Sequence, residues 1–228
     1  MSSNQLEIEV KSLLGTKENA NVLLSKIKEQ YPSYKLLHEE KQLNHYFTGW
    51  DFRILFDKIS PLLTDDQKQQ FQSIVDHGKN HSVRSRRIHN KPWVILVIKA
   101  SLDEHSSHNG ISRIEFEPIL DITIDQLDKI LLESNFTYLS KRSRERQEYE
   151  LPDIHISLDK NAWYGYLAEF EMVIDGDGDI HQAHEKIKTI MQTLWVEELD
   201  QGRLERMFAF YNANRPDYYG TEKVFTIE

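Results

Sequence analysis

Apolar and polar positions alternate along the chain with two periods, and the switches between them divide it into strands and helices. Gln5–Lys11 alternates strictly and predicts a strand. Asn19–Gln30 carries Val22, Leu23, Leu24 and Ile27 at helical spacing, and Pro32 ends the pattern. Lys41–Thr48 reads as a second strand carrying Tyr46 and Phe47. Thr64-Asp65-Asp66-Gln67 is a capping box that opens a helix to about Asp76, with Gly78 just beyond it. Ser82–His89, Pro92–Ala100 and Ile111–Pro118 are strand candidates, and the polar loop Asp103–Gly110 separates the last two. Thr123-Ile124-Asp125-Gln126 is a second capping box, for a helix through Leu132. Thr137–Tyr149, Ile154–Asp159 and Tyr164–Ile174 follow as strands, then His181–Trp195 and Gln201–Asn212 as amphipathic helices before a Tyr-rich tail. No repeat, low-complexity tract or linker interrupts this order. The pattern predicts one α+β domain over residues 1–228 with about eight antiparallel strands.

Side chains two apart on a strand point the same way, so the alternate positions define faces. Glu7, Glu9 and Lys11 share a face, with Ile8 and Val10 on the other. Arg84 pairs in this sense with Arg86, and Arg144 with Arg146. Arg113, Glu115 and Glu117 oppose Ile114 and Phe116, while Glu169 and Glu171 oppose Ala168, Phe170 and Met172. Lys99 ends the apolar strand Val94–Ile98, and Asp159 ends Ile154–Leu158. For any one strand a solvated outer face is the plain reading. Together the strands suggest more, because arginines and glutamates recur as same-sign pairs where a solvated face would mix in Thr, Ser and Lys. In a barrel these faces would turn inward, and seven basic groups would meet seven acidic ones. Charges enclosed in that way need partners or a ligand. A polyanion with divalent cations suits them, since guanidinium forks match phosphate oxygens and clustered carboxylates match Mg²⁺ or Mn²⁺.

Composition narrows the classes further. The 228 residues include 28 Lys and Arg against 37 Asp and Glu, a net charge of −9. A pI near 5.6 argues against a general nucleic-acid-coating role, so no nucleic-acid partner is expected. The absence of cysteine excludes a disulfide scaffold, a thiolate nucleophile, Cys-ligated zinc and iron–sulfur clusters. It also fits a reducing compartment. The first residues show neither a charged n-region nor an apolar h-region, and no apolar run reaches the roughly 20 residues that cross a bilayer. A cytoplasmic protein without a membrane partner is expected.

The charged strands also resemble a known family. Glu7-Ile8-Glu9-Val10-Lys11 is similar to the ExExK signature of the CYTH superfamily, the triphosphate tunnel metalloenzymes. That group includes class IV adenylate cyclases, thiamine triphosphatases and inorganic tripolyphosphatases. Gln42–Phe47 resembles its second strand, which ends in an aromatic pair. Val83-Arg84-Ser85-Arg86 resembles its RxR strand, Lys99 its strand-end lysine, and Arg113–Glu117 its RxExE strand. Arg144–Tyr149 resembles K/RxRxxY, Asp159 follows at the family's separation, and Glu169-Phe170-Glu171 resembles its late ExE. The resemblance runs from Glu7 to Glu171 and implies a closed eight-stranded antiparallel β-barrel flanked by helices. It implies Lys11, Arg84, Arg86, Lys99, Arg113, Arg144 and Arg146 as phosphate ligands. It implies Glu7, Glu9, Glu169 and Glu171, then Asp159 and Glu117, as ligands of Mg²⁺ or Mn²⁺. Lys99, Glu9 and Asp159 are the expected catalytic groups; among cations Lys99 could act as a base toward water, or it is a plain phosphate contact.

Two stretches depart from the family pattern. Gly49–Asn80, with its own helix, is longer than that pattern allows and would serve as a lid or as an oligomer contact in a homodimer. The basic run Lys141–Arg146 offers two registers; the spacing to Tyr149 and Asp159 favours Arg144 and Arg146 inward, with Arg142 near the barrel mouth.

Other signals carry less. Asp175–Asp179 imitates an EF-hand start, but Ile180 and Lys186 stand where Gly and Glu are needed, which leaves a polar turn. His181 and His184 lack a third ligand and read as surface residues. The stripe Leu204, Met207, Phe208, Phe210 and Tyr211 on the helix of the C-terminal segment 197–228 reads as core or interface. Trp93, Trp163 and Trp195 read as packing residues, with stacking on a nucleobase or thiazole ring as an alternative for Trp163. The expected activity is metal-dependent hydrolysis of a small-molecule triphosphate (tripolyphosphate, thiamine triphosphate or a nucleoside triphosphate). Class IV adenylate cyclase is the second reading, and a non-catalytic polyphosphate-binding module the third.

Overall fold

The computed structural model describes residues 5–101, 111–175 and 178–228; the side chains of 5 and 111–113 fall outside that description, as does the loop expected at 103–110. In chain order the elements are β1 (Gln5–Gly15), α1 (Lys17–Gln30), β2 (Lys35–Thr48), α2 (Phe52–Ile59), a 3-10 turn (Ser60–Leu62), α3 (Asp65–His77), β3 (Lys79–Ile88) and β4 (Val94–Ser101). They continue with β5 (Ile111–Phe116), β6 (Ile119–Leu120), α4 (Ile124–Glu133), β7 (Thr137–Leu151), β8 (Ile154–Asn161), β9 (Gly165–Asp175), α5 (Ile180–Thr193) and α6 (Gln201–Tyr218). This is an α+β fold of antiparallel strands flanked by helices. The chain forms two compact units, one around residues 5–40 and 144–228, the other around 41–101 and 113–143.

In the first unit β7, β8, β9 and β1 pair antiparallel in that order. The face expected to be apolar is the buried one. Ile8, Val10, Ile156, Leu158, Ala168 and Phe170 pack with Leu23 and Ile27 of α1 and Ile187 and Met191 of α5. Each fully buried Leu or Ile contributes roughly 1.5–3 kcal/mol of transfer free energy. Thr16 caps α1 by accepting from the Asn19 N–H at 3.3 Å. The helical stripe runs through Ala20, Leu23 and Ile27, and Val22, expected on it, is 49% exposed. A 100° step per residue leaves position 22 on the outer side once 20, 23 and 27 face in. At the β1–β9 end, Gly15 and Gly165 have φ of 68° and 76°, and a Cβ on Gly165 would meet the Gly15 carbonyl oxygen at 2.1 Å. Only glycine fits that approach.

In the second unit β3 pairs with β2 and β4, and β4 also pairs with β5 and β6. Its core joins Val83, Leu96, Ile98 and Phe116 to Phe52 and Leu55 of α2, Phe71 of α3 and Leu127 and Leu131 of α4. Both predicted capping boxes form, at Thr64 and Thr123, each with the Gln side chain returning to the cap N–H.

Several bounds differ from expectation. β2 starts six residues earlier than expected; these exposed residues are tied by ion pairs such as Lys35–Glu150 at 3.0 Å and His38–Glu148 at 2.7 Å, which carry no hydrophobic period. α2 was not expected, although Phe52, Leu55 and Ile59 have helical spacing. Nine strands rather than eight occur among the described residues; the extra one, β6, follows Pro118, which cannot continue the β5 ladder. α6 runs past Asn212, with a break at Asn214 just before Pro216.

Candidate functional site

Register brings the charged residues of the first unit together. Across β1 and β9, Glu9 faces Glu171 and Lys11 faces Glu169, while Glu7 lies a row further along, opposite Val173. Across β7 and β8, Arg146 faces Asp159. Asp159 is wholly buried and accepts from Arg144 Nη1 at 2.6 Å and from Arg146 Nε and Nη2 at 2.7 Å each. Arg146 Nη2 also donates to Glu169 Oε2 at 2.5 Å. The Lys11 ammonium pairs with Glu9 and lies 3.7 Å from Glu169. Burial opposes the Arg146 charge, but Asp159 and Glu169 outweigh it and hold its pKa well above the usual arginine value.

The charged groups of the second unit follow the same logic. Tyr46 faces Arg84 and Asn44 faces Arg86 across β2 and β3. On the other flank Arg84 faces Val97 and Arg86 faces Ile95 of β4. The two arginines therefore lie between polar and apolar strands, only 9% and 8% exposed. Arg84 Nη1 donates to the Tyr46 hydroxyl at 2.9 Å, and Arg86 Nε to Asn44 Oδ1 at 3.2 Å. Arg86 Nη1 reaches Glu117 at 3.1 Å, with Arg84 at 3.9 Å from the same carboxylate. Arg84 Nε is buried and makes no hydrogen bond. Burial works to raise the Glu117 pKa, yet Arg86, Arg84 and Lys99 outweigh it and lower it. Lys99 pairs with Glu115, its partner across β4 and β5. Arg113 faces Ser101 in that ladder, and its side chain lies outside the described residues.

The site expected from sequence is thus drawn together as two sets, one per unit. Four neighbours to which the sequence pattern assigns no site role complete these sets. Asn44 and Tyr46 brace the arginines, Glu115 holds Lys99, and the Arg142 guanidinium lies 4.7 Å from the Tyr46 ring centroid. Their signal was faint: Asn44 and Tyr46 alternate on β2, but only the β2–β3 register says which arginine each meets. Two tryptophans are also placed. Trp163 is 1% exposed, enclosed by Leu167, Leu204, Met207 and Tyr211, as packing requires. Trp195, expected to pack, is instead 72% exposed under Lys26, because a φ of 61° at the end of α5 turns it outward.

Among the described residues no three His, Asp or Glu side chains converge on a point that would hold a metal. The donors fit a hard divalent cation in kind, being carboxylates: Glu9 and Glu171 face one another in register, with Glu169 one pair along β9.

Neither a protein-family model nor a curated protein matches the sequence. Solved structures do match. The PH1012 protein of Pyrococcus horikoshii is 18% identical, with a TM-score of 0.60 over 84% of this chain and 91% of that one. A candidate adenylate cyclase of Vibrio parahaemolyticus is 13% identical, with a TM-score of 0.58 over 86% and 94%. HpAC1 of Hippeastrum, an adenylyl cyclase candidate described as having a dominant triphosphatase activity, is 16% identical, with a TM-score of 0.50 over 84% and 89%. At these identities the likeness is one of fold. What it shows is the α+β arrangement of antiparallel strands flanked by helices.

Proposed function

We propose that the protein is a divalent-metal-dependent triphosphate hydrolase. The observation that carries this reading is Arg84. A buried guanidinium whose Nε lacks an acceptor costs about 1–3 kcal/mol, and a phosphate oxygen would supply the missing acceptor. Arg86 and Lys99 act on the same carboxylate as Arg84, so an anion arriving there meets three cations. Closure of the strands into the eight-stranded barrel implied by the resemblance belongs to the same proposal.

In the reaction, Arg84 and Arg86 bind phosphate oxygens and fix the chain's orientation, with their own positions set by Tyr46 and Asn44. Mg²⁺ or Mn²⁺ held by Glu9, Glu169 and Glu171, with Glu7 beside them, would neutralise phosphate oxygens and favour attack by water. Water oxygen bonds to the terminal phosphorus as its bond to the bridging oxygen breaks; the bridging oxygen leaves on the shortened diphosphate chain, and the attacked group is released as orthophosphate. The water proton passes to a carboxylate acting as a base, and Lys99, paired with Glu115, contacts phosphate as a cation. Cyclisation would demand in addition a pocket that positions the ribose, and Trp163, the candidate for base stacking, is enclosed in the core.

Product analysis tests the reading. The purified chain is offered tripolyphosphate, thiamine triphosphate and ATP with Mg²⁺ or Mn²⁺, and phosphorus NMR follows the products. Orthophosphate release faster than any cyclic AMP formation is expected. Cyclic AMP and pyrophosphate as main products, with tripolyphosphate intact, would establish a cyclase instead.

A further inference from the structure

Behind the arginines of the second unit lies a buried polar cluster that the proposed chemistry leaves unused. Asp128 of α4 is 4% exposed, and its carboxylate receives three hydrogen bonds. Ser85 Oγ of β3 donates to Oδ1 at 2.5 Å, the Tyr138 hydroxyl of β7 donates to Oδ2 at 2.7 Å, and His45 Nδ1 of β2 lies 2.6 Å from Oδ2. An aspartate on the buried stripe of a helix is costly unless its oxygens are satisfied, and here they are.

What these donors lie beside gives the cluster its meaning. His45 and Ser85 face each other across β2 and β3. The next pair on one side is Asn44 with Arg86, and on the other Tyr46 with Arg84. Successive residues point to opposite faces, so His45 and Ser85 turn toward α4 while their neighbours turn toward the arginine face. Asp128 thus grips the one cross-strand pair enclosed by both arginine-holding pairs. Tyr138 donates to the same carboxylate but belongs to neither strand.

We infer that Asp128 is a positioning residue for triphosphate binding: through Ser85 and His45 it fixes the β2–β3 register that sets Arg84 and Arg86. The inference rests on the proposed function and adds to it a residue that never touches the substrate. Displacing a guanidinium fork by a fraction of its hydrogen-bond length weakens both of its contacts at once, so a hidden clamp has leverage on affinity.

The test compares two variants that remove the same kind of bond from the same carboxylate. Ser85→Ala and Tyr138→Phe are each made in the full chain, and calorimetry measures tripolyphosphate binding in metal-free buffer alongside the melting temperature. Both should melt lower than the parent. Ser85→Ala should weaken tripolyphosphate binding by about 5- to 20-fold, and Tyr138→Phe by less than twofold. In an Arg86→Gln background the effect of Ser85→Ala on affinity should shrink to about twofold or less, because the group it positions is gone. Equal losses in both variants, or none in either while the parent binds tripolyphosphate, would overturn the positioning role and leave the proposed function standing. A parent chain that does not bind tripolyphosphate would instead remove the proposed function, and the inference with it.

Discussion

The two units divide the expected site residues unevenly. The first carries five of the carboxylates (Glu7, Glu9, Asp159, Glu169 and Glu171) and three bases. The second carries one carboxylate, Glu117, and four bases. The difference extends to how the charges are held. In the first unit Arg144 and Arg146 are spent on a wholly buried Asp159, so their charge is matched by the protein itself. In the second, Arg84 and Arg86 are braced by the neutral Tyr46 and Asn44, which fix direction, and share the partly exposed Glu117 as counter-charge. Acid in excess suits a cation, and braced base suits an anion. The comparison teaches that similar Arg-x-Arg strands can be held differently: one pair on a wholly buried acid, the other on neutral braces and a partly exposed Glu117.

Stability should separate the units most sharply. Replacing Asp159 by Asn keeps its shape but removes the buried carboxylate shared by two nearly buried guanidinium groups, a loss of about 3–5 kcal/mol by analogy with broken buried ion pairs. Glu117→Gln removes a carboxylate whose side chain is 31% exposed, and solvent screening should hold that loss to about 1 kcal/mol or less. Urea denaturation of both variants checks this. Equal midpoint shifts would show that the two arginine pairs are held alike.

Binding should separate them next, in the opposite sense. Arg86→Ala deletes a braced fork and should weaken tripolyphosphate binding by roughly 10- to 150-fold, with Arg86→Lys recovering only part. Glu171→Gln leaves that affinity within a few-fold but raises the metal concentration needed for half-maximal turnover, since Glu9 loses its facing carboxylate. Titrations of ligand and metal on the two variants make the check. A Glu171→Gln protein with an unchanged metal requirement would move the cation elsewhere.

How far the sequence could be read follows from where each signal lies. Alternation in Ile8-Glu9-Val10-Lys11 and Ala168-Glu169-Phe170-Glu171 is local, and so the buried faces of β1 and β9 were legible. The capping boxes at Thr64 and Thr123 are local too, and both form. Register is not local: nothing near Glu9 says that Glu171 will face it, and nothing near Arg86 names Asn44. Asp128 bonds a residue 83 positions away, His45. The one local trace of the Asp128 cluster is a carboxylate between Leu127 and Leu131 on the buried side of α4, a position where an apolar residue is the rule. The turn of Trp195 depends on a positive φ that its neighbours do not announce.

The smallest effect expected is in the pH limits, and it too distinguishes the units. In the second, burial works to raise the Asp128 pKa, but hydrogen bonds from His45, Ser85 and Tyr138 outweigh it and lower it. A depressed carboxyl pKa stabilises the fold above the unfolded value near 4, and that contribution is lost as pH falls through the folded value. In the first unit, burial, with Glu39 and Tyr34 nearby, pushes the Tyr149 hydroxyl up to about 12 from its ordinary 10.0. The sign is then reversed. The unfolded chain ionises this phenol near pH 10 while the folded chain keeps it neutral. Its contribution is therefore complete below pH 10 and lost as pH rises toward 12. Part of the shift is screened, so about 1–2 kcal/mol should disappear across that window. Urea midpoints measured between pH 9 and 11.5 should fall for the parent chain and fall less for Tyr149→Phe. Asp128→Asn should leave this alkaline limb unchanged while flattening the acid one below pH 5. Identical alkaline limbs in the parent and Tyr149→Phe would remove Tyr149 as the group that sets the first unit's limit.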